Sequence, residues 1–166
     1  MNSSCDRFPI PLIKDIFQRL KGSTIFSTLD LKSCFHMFKV REDHQHKTAF
    51  TVDNVQYMFQ GCPFGLSSIS SRAQRTMSIV FQDMQDFVTT FVDDIVVFSK
   101  GTLRDHEECL KKVIQRLTEV NLKINPDKCH FGQKSIYLLG FCVNENGISI
   151  DTRKVANIHE WPQPRT

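Results

Sequence analysis

Two adjacent aspartates interrupt the most apolar segment of this 166-residue chain. The segment runs from Phe87 to Phe98 and is rich in the β-branched and aromatic residues that favour strands. Aspartate is disfavoured in strands, and an unpaired carboxylate is costly to bury. A hairpin bent at Asp93 and Asp94 satisfies both constraints, because its two arms are buried while the acidic pair lies at its tip. Such a tip normally contains Gly or Asn, and neither is present here.

The acidic pair also predicts a bound cation. Adjacent carboxylates repel each other, so the pKa of one rises unless a positive charge lies between them. Mg²⁺ is a hard ion that takes oxygen ligands and supplies that charge. Asp30 follows the apolar residue Leu29, 93 − 30 = 63 residues before the pair. On a neighbouring strand it would complete a group of three carboxylates that holds two metal ions about 4 Å apart. In the alternative interpretation, the pair is a solvated turn and Asp30 a helix cap.

The composition is that of an ordinary globular chain. Hydrophobic residues make up 40% and charged residues 23%, which suits one domain with a core of its own. The net charge of +3 permits a polyanionic partner without requiring one. The six cysteines include no Cys-x-x-Cys pair, so we expect reduced thiols rather than disulfides or a zinc site. Without a signal-like start or a membrane-length apolar run, we expect an intracellular protein, cytoplasmic or nuclear, that is not secreted.

The mixed order of helices and strands predicts an α+β fold. Apolar residues at helical spacing predict helices at Pro9–Lys21, Ser67–Phe81 and Thr102–Val120, with a last short helix around Val155 and Ile158. Alternating or β-branched segments predict strands at Thr24–Leu29, Phe35–Val40, Lys47–Val52, Tyr57–Gln60, the two arms of Phe87–Phe98, Tyr137–Val143 and Ile148–Ile150, with Arg41–His46 as a turn.

Five short motifs follow one another in a specific order. They read Leu29-Asp30-Leu31-Lys32-Ser33-Cys34-Phe35, Pro63-Phe64-Gly65-Leu66, Phe91-Val92-Asp93-Asp94-Ile95, Asn125-Pro126-Asp127-Lys128-Cys129 and Leu139-Gly140-Phe141. In this order they resemble the reverse transcriptases of gypsy-type LTR retrotransposons, over roughly Asp6 to Thr166. Each motif alone is unspecific, whereas the combination is typical of that family.

The resemblance implies a polymerase palm, in which a ferredoxin-like antiparallel sheet is backed by helices. It implies one reverse transcriptase domain over residues 1–166, mostly palm, with a partial fingers region at 36–66 and a palm-to-thumb connection at 161–166. The fingers are then expected to be incomplete and the thumb absent. The remaining fingers, thumb, RNase H and integrase regions would belong to the rest of a polyprotein.

The resemblance also implies a catalytic group. Asp30 and Asp93 match the family's metal-bridging carboxylates, and Asp94 matches the third, less direct one. The implied cofactor is a pair of Mg²⁺ ions, with Mn²⁺ as an alternative. Lys128 falls at or beside a lysine that protonates the pyrophosphate leaving group. A lysine in a polar turn is also commonly a solvated charge.

Three residues match positions that contact the incoming deoxynucleoside triphosphate. Phe35 falls where the family places an aromatic gate that excludes a 2′-hydroxyl, the group that distinguishes RNA from DNA. Phe64 and Gly65 match the loop that contacts the incoming nucleotide and the template. The structural alternatives are a core position for Phe35 and plain turn chemistry for Gly65.

Four further residues match positions beside the template and primer. Gln74 and Arg75 lie on the helix behind the nucleotide loop and are expected to face the template strand. Leu139 and Gly140 match the primer grip, which positions the primer 3′ end, although by themselves they would be an ordinary strand.

The function implied by the resemblance is RNA-directed DNA polymerisation, in which deoxynucleotides are added to a primer on an RNA or DNA template. One alternative is an inactive remnant that keeps the palm fold and binds nucleic acid. Another is a metal-dependent nuclease or an interaction domain that carries three aspartates. Four positions depart from the family pattern: Phe91 replaces a usual tyrosine, Met58 replaces a usual acidic residue, and Ser70 and Ala73 replace a proline and an aromatic residue.

Overall fold

A four-stranded antiparallel sheet forms the centre of the molecule. The computed structural model describes residues 8–66 and 68–152. Its helices are α1 (Ile13–Leu20), α2 (Glu42–Gln45), α3 (Ile69–Val80) and α4 (Leu103–Glu119). Its strands are β1 (Ile25–Asp30), β2 (Phe50–Val52), β3 (Val55–Tyr57), β4 (Val88–Phe91), β5 (Asp94–Ser99), β6 (His130–Gln133), β7 (Ser135–Leu138), β8 (Phe141–Asn144) and β9 (Gly147–Ile150). The predicted α+β class, with an antiparallel sheet backed by helices, is confirmed.

The central sheet has the strand order β4-β5-β1-β6. Strands β4 and β5 form the predicted hairpin, and β1 lies against β5 from Ile25 opposite Ser99 to Asp30 opposite Asp94. Two smaller sheets, β2-β3 and β7-β8-β9, complete the described strands. The register of β1 against β5 is what brings two remote acidic positions to one end of the sheet.

Both faces of the central sheet are covered. Because side chains alternate along a strand, Leu29, Ile95 and Val97 point to one face, where they pack with residues of α3 and α4. Phe26 and Val96 point to the other face, which α1 and the β7-β8 hairpin cover. By the same alternation Asp30 and Asp94 belong to this second face, at the end where it opens to solvent.

Helix α4 matches its prediction closely, because local and tertiary signals agree. Thr102 and Asp105 form a reciprocal capping box at its start. Val113 and Leu117 are buried against the sheet. His106 is also buried, and its two ring nitrogens lie 2.8 Å from the Ser27 hydroxyl and 3.0 Å from the Ser99 hydroxyl. Helix α4 is thereby hydrogen-bonded to both central strands.

The region between β1 and α3 departs most from expectation. The predicted strand at Phe35–Val40 is wrong, because Ser33 adopts a left-handed conformation (φ 53°) and residues Cys34–Met37 form a short 3₁₀ helix. The predicted turn at Arg41–His46 contains the short helix α2. The strand expected from Lys47 begins only at Phe50, after a 3₁₀ turn over His46–Thr48.

The pairing of β2 with β3 was not predicted. Asp53 and Asn54 form the tip of this hairpin, both with positive φ (50° and 61°), which suits the twist of a tight hairpin. The second strand therefore runs over Val55–Tyr57 rather than Tyr57–Gln60. At the base of this region Lys39 bridges to Gly61, where an added Cβ would collide with the backbone carbonyl of His36.

The end of the described chain contains an unpredicted strand. Strand β6 pairs with β1 and forms one edge of the central sheet, with an irregular register between Phe26 and Thr28. The expected strands over Tyr137–Val143 are β7 and β8, joined by a turn in which Leu139 and Gly140 have positive φ (52° and 85°). The predicted last helix and the predicted connection at 161–166 lie outside the described residues. None of the described helices has the length and apolarity to span a membrane.

Candidate active site

The tip of the β4-β5 hairpin is a strained two-residue turn. Phe91 pairs with Asp94, so Val92 and Asp93 form the turn, one residue earlier than the predicted bend at Asp93 and Asp94. Val92 has a φ of 57°, a conformation that is a genuine outlier for a β-branched residue. Backbone strain of this kind costs about 1–3 kcal/mol and persists only where the surroundings enforce it. The absence of Gly or Asn from this tip therefore corresponds to a real conformational cost.

Gln74 on α3 is bound to that turn. Its Oε1 accepts a hydrogen bond of 2.7 Å from the Val92 backbone N–H. Its Nε2 lies 3.4 Å from the Thr90 carbonyl oxygen and 3.3 Å from the Thr90 hydroxyl. With a residue exposure of 2%, the side chain faces the hairpin rather than an open surface. The expectation that Gln74 faces a template strand is therefore not what the structure shows.

Asp30 and Asp94 occupy directly opposite positions on β1 and β5. Opposite residues of an antiparallel pair project from the same face, with Cβ atoms about 4.5–5.5 Å apart. The pKa of the Asp94 carboxyl is raised, first by loss of solvent around it and then by repulsion from Asp93 and Asp30. The charges of Asp30 and Asp93 thus both act on Asp94, and the cross-strand partner of Asp30 is Asp94 and not Asp93.

The charges of Asp30 and Asp93 also act on the buried thiol of Cys34. Burial raises its pKa to about 11, and repulsion from Asp93 and Asp30 adds to that effect. Both carboxylates therefore act on one side chain at the start of the 3₁₀ helix, on the chain that follows β1. Cys34 was not predicted to lie beside the acidic group.

The described side chains do not form a preassembled metal site. Over residues 8–66 and 68–152, no three His, Cys, Asp or Glu side chains are arranged as a metal-binding group. A ready-made three-carboxylate cage is therefore not formed by these side chains. Mg²⁺, however, commonly binds through one or two carboxylates together with water and substrate phosphates. Burial and, after it, repulsion from Asp93 and Asp30 raise the pKa of Asp94, and a bound cation would relieve that repulsion.

Lys128 lies beside the acidic pair. Its Nζ is 3.7 Å from Oδ1 of Asp30, and about two thirds of the lysine side chain (65%) remains exposed. Asp30, Asp94 and Lys128 line a cleft of about 200 Å³ on the second face of the sheet. Its other lining residues are Thr28, Leu29, Val96, His130, Tyr137, Leu138 and Leu139. His130 was not predicted as a site residue, because its position depends on the unpredicted strand β6.

The predicted nucleotide-contacting residues lie together. The rings of Phe35 and Phe64 meet edge to face with their centroids 5.4 Å apart, and His36 contacts Phe64 in the same way at 5.3 Å. Phe35 packs partly against the core below α3, whereas Phe64 is 71% exposed. Gly65 has a φ of 90°, a conformation that L side chains rarely adopt. These positions are compatible with a gate or a core role for Phe35. They are also compatible with a nucleotide contact or a plain turn at Gly65.

The remaining predicted residues are spread around the sheet. Arg75 is exposed on α3. Leu139 and Gly140 form the half-buried turn between β7 and β8, and Leu139 lines the cleft that contains Asp30 and Asp94. The structure therefore brings Asp30, Asp94, Lys128 and Leu139 around one cleft, while Arg75 lies apart from it.

Comparisons with known proteins agree on one family. The family model for reverse transcriptase (RNA-dependent DNA polymerase) matches residues 2–143. The chain is 35% identical over 160 residues to the retrovirus-related Pol polyprotein from transposon gypsy of Drosophila melanogaster, covering 96% of this chain and 15% of that protein. It is 31% identical over 159 residues to the transposon Tf2-3 polyprotein of Schizosaccharomyces pombe, covering 95% of this chain and 12% of that protein.

Solved structures show the same likeness at the level of the fold. A foamy viral protease-reverse transcriptase in complex with an RNA/DNA hybrid matches with a TM-score of 0.86 at 24% identity, covering 96% of this chain and 21% of that one. The same kind of protein in complex with double-stranded DNA matches with a TM-score of 0.83 at 25% identity, covering 94% of this chain and 34% of that one. The chain thus spans a small part of each relative.

Proposed function

Because the chain belongs to the reverse transcriptase (RNA-dependent DNA polymerase) family, we propose that it carries the nucleotide-transfer centre of a retrotransposon polymerase. Family membership makes it a nucleotidyltransferase domain. The proposed reaction adds a deoxynucleotide to a primer 3′-hydroxyl on an RNA or DNA template, with two divalent metal ions. An in-line displacement of this kind depends mainly on positioning and on neutralising charge.

The observation that carries the proposal is the register of β1 against β5. It sets Asp30 opposite Asp94, with Asp93 in the adjoining turn. Three carboxylates at one sheet end are unfavourable in a protein that binds no cation, because their negative charges repel one another. The pKa of Asp94 is raised first by burial, and repulsion from Asp93 and Asp30 adds to that effect.

We propose that Asp30 and Asp93 hold two Mg²⁺ ions, or Mn²⁺, and that Asp94 supports them from the opposite strand. When bound, the ions activate the attacking hydroxyl and stabilise the leaving oxygen. Within the chain itself, Lys128 is the group that would donate a proton towards the departing pyrophosphate. Its position 3.7 Å from Asp30 and its exposed amine support this role.

Template, primer and nucleotide are proposed to occupy the open end of the sheet. Leu139 and Gly140 would support the primer terminus, since their turn borders the cleft that contains Asp30. Phe35 and Phe64 would contact the sugar and base of the incoming nucleotide, and Gly65 would let the backbone approach it closely. Arg75 would contact a template phosphate. Affinity that rests on phosphate contacts falls steeply with salt.

The rest of a polyprotein is the proposed protein partner. The relatives from Drosophila melanogaster and Schizosaccharomyces pombe are polyproteins of which this chain matches 15% and 12%. The proposed activity is therefore one part of a longer enzyme. A membrane plays no role in it.

Primer extension by an Asp93→Asn variant tests the proposal. The substitution keeps the side-chain shape but removes a metal-binding charge, so we expect incorporation to fall by about a thousandfold or more. The measurement uses the 166-residue chain and, in parallel, the same chain in place of the matching segment of the gypsy polyprotein. Asp53→Asn is the matched control, because Asp53 is exposed at the tip of β2-β3 and asparagine tolerates its positive φ equally well.

Unchanged incorporation by Asp93→Asn would contradict the metal-site assignment. A wild-type chain that binds template-primer but extends no primer in either setting would favour the inactive-remnant alternative. Metal-dependent cleavage of the nucleic acid without extension would favour the nuclease.

A further inference from the structure

The amide of Gln74 is a buried polar group whose bonds converge on the acidic hairpin. Its Oε1 accepts the Val92 backbone N–H at 2.7 Å, the shortest of its contacts. Its Nε2 is within 3.3–3.4 Å of both oxygens of Thr90 and 3.4 Å from the Ser78 hydroxyl. Thr90 and Val92 lie where the chain enters the turn, so one side chain is hydrogen-bonded to both.

These hydrogen bonds stabilise a turn whose backbone is strained. A β-branched residue at a φ of 57° returns to a common conformation unless its surroundings oppose the change. The Val92 N–H points away from the strand ladder into Gln74, so relaxation of the turn would break the 2.7 Å bond. The Val92 N–H is partly buried, and an N–H shielded from water without a partner is costly, which makes this bond a constraint on the turn.

We propose that Gln74 is a positioning residue for the catalytic turn: its amide holds Val92 in the left-handed conformation and thereby fixes the direction in which the next residue, Asp93, projects. The catalytic consequence rests on the proposed function, whereas the mechanical link between Gln74 and the turn does not. Gln74 makes no contact with substrate in this account. It acts through the backbone of Val92.

Two simpler roles for Gln74 are less consistent with the geometry. A contact with the template strand requires an accessible amide, and the residue is 2% exposed. A role as plain core filling requires only volume, so an apolar residue of similar length would serve equally well. Helix α3 offers a matched position for that comparison, since Met77 lies one turn further along and is fully buried in the core below the sheet.

The test compares Gln74→Met with Met77→Ala. Methionine keeps the length of Gln74 but has no N–H donor and only a weak acceptor, so the turn loses its anchor. We expect Gln74→Met to lower kcat for primer extension by about 10- to 100-fold, with KM for template-primer within twofold. We also expect exchange of the Val92 amide hydrogen to accelerate at least tenfold relative to that of Ile95 in the neighbouring strand.

Met77→Ala creates a cavity beside the same helix but keeps the Gln74 amide that accepts the Val92 N–H. It should lower the melting temperature at least as much as Gln74→Met, while the Val92-to-Ile95 exchange ratio stays within twofold of wild type. If the two variants lose kcat in proportion to lost stability alone, or if the Val92 exchange ratio is unchanged in Gln74→Met, the proposal is wrong.

A double-mutant cycle separates the effect of Gln74 on the turn from its other effects on the protein. Glycine adopts a positive φ readily, so Val92→Gly removes the strain that Gln74 opposes. The fold loss of kcat caused by Gln74→Met should be at least five times smaller in the Val92→Gly background than in the chain that keeps Val92. Equal losses in the two backgrounds would mean that Gln74 does not act through the turn.

Failure of this proposal and failure of the proposed function give different results. If the wild-type chain extends no primer in any setting, the proposed function fails, and hydrogen exchange at residue 92 alone then decides the role of Gln74. If wild type and Gln74→Met extend primers equally while Asp93→Asn does not, the function stands and the positioning role is refuted.

Discussion

Two antiparallel hairpins in this molecule are built from similar residues and have opposite environments. In β5 four successive residues, Ile95 to Phe98, are at most 4% exposed, because helices or strands cover both faces of the central sheet. In β2 and β3 all six residues are exposed, although they include Phe50, Val52, Val55 and Tyr57. The comparison teaches that burial here is set by neighbouring elements and not by residue type.

The two hairpins are therefore stabilised by different interactions. The central sheet gains from core packing, where loss of one large side chain costs several kcal/mol. The β2-β3 hairpin depends on its tight turn and on cross-strand pairs such as Phe50 and Tyr57, whose rings stack with centroids 5.7 Å apart. Such pairs contribute about 0.2–1 kcal/mol each, and an isolated two-stranded hairpin is marginal. Its exposed apolar residues form the kind of patch that typically contacts another surface.

The largest expected difference between the central sheet and the β2-β3 hairpin is the loss of stability when a large side chain is truncated. Phe26→Ala should lower the free energy of unfolding by about 3–5 kcal/mol, because the residue is fully buried between α1 and the sheet. Phe50→Ala, the matched change in the exposed hairpin, should cost less than about 1 kcal/mol. Urea denaturation of both variants measures the contrast. Equal losses would show that the hairpin is as firmly packed as the sheet.

The next prediction concerns a residue at the junction of the two regions. Under the proposed function, Phe35→Ala should raise ribonucleotide incorporation relative to deoxynucleotide incorporation by about 10- to 100-fold, or about 1.4–2.8 kcal/mol. The measurement is single-nucleotide primer extension with each nucleotide type. Phe38→Ala is the control, because Phe38 is also partly buried against the same core. If both variants behave alike, Phe35 is simply a core residue.

The third prediction tests the link between α4 and the central sheet. Burial lowers the pKa of His106, so the folded protein keeps this imidazole neutral where the unfolded chain, with a pKa near 6.5, takes up a proton. Stability from this group is therefore fully present above about pH 6.5 and is lost as the pH falls below it. The loss approaches about 1.4 kcal/mol per pH unit.

Thermal unfolding from pH 7.5 to 5 measures that slope. His106→Asn has no group that titrates in this range, so its melting temperature should fall less steeply than that of the wild type. Parallel curves for His106→Asn and wild type would contradict the assignment.

The smallest effect is expected on the exposed hairpin itself. Val55→Thr keeps the β-branched shape and adds a hydroxyl in contact with water, so stability should change by less than about 0.5 kcal/mol. The same change at Val97, which is fully buried, should cost about 1–3 kcal/mol, because the hydroxyl loses its hydration. Denaturant midpoints of the two variants provide the comparison.

The sequence predicted elements best where local and tertiary signals agree. Helix α4 has its capping box and a helical apolar spacing, and β1 and β5 are short apolar runs. The strand expected at Phe35–Val40 failed because a left-handed Ser33 redirects the chain. Strand β6 was missed since all four of its residues are exposed, with no alternation to detect.

The acidic group was predictable as a set but not in its pairing. Asp30 and the Asp93-Asp94 pair are conspicuous in the sequence, yet which of them meet depends on the register between strands far apart in the chain. The position of Gln74, by contrast, could not be predicted from the sequence. A glutamine on a helix is usually a surface residue, so only the fold reveals that its amide is buried against a strained turn.

The bridge between Lys39 and Gly61 closes the region of the exposed hairpin at its base. Backbone bonds from Val40 to Gln60 and from Cys62 to Phe38, each 2.8 Å long, hold the two ends together. The chain between these ends can therefore be treated as a replaceable cassette. Loops of other lengths, epitope tags or fluorescent labels inserted at Asp53 and Asn54 should be tolerated without disturbing the acidic end of the central sheet.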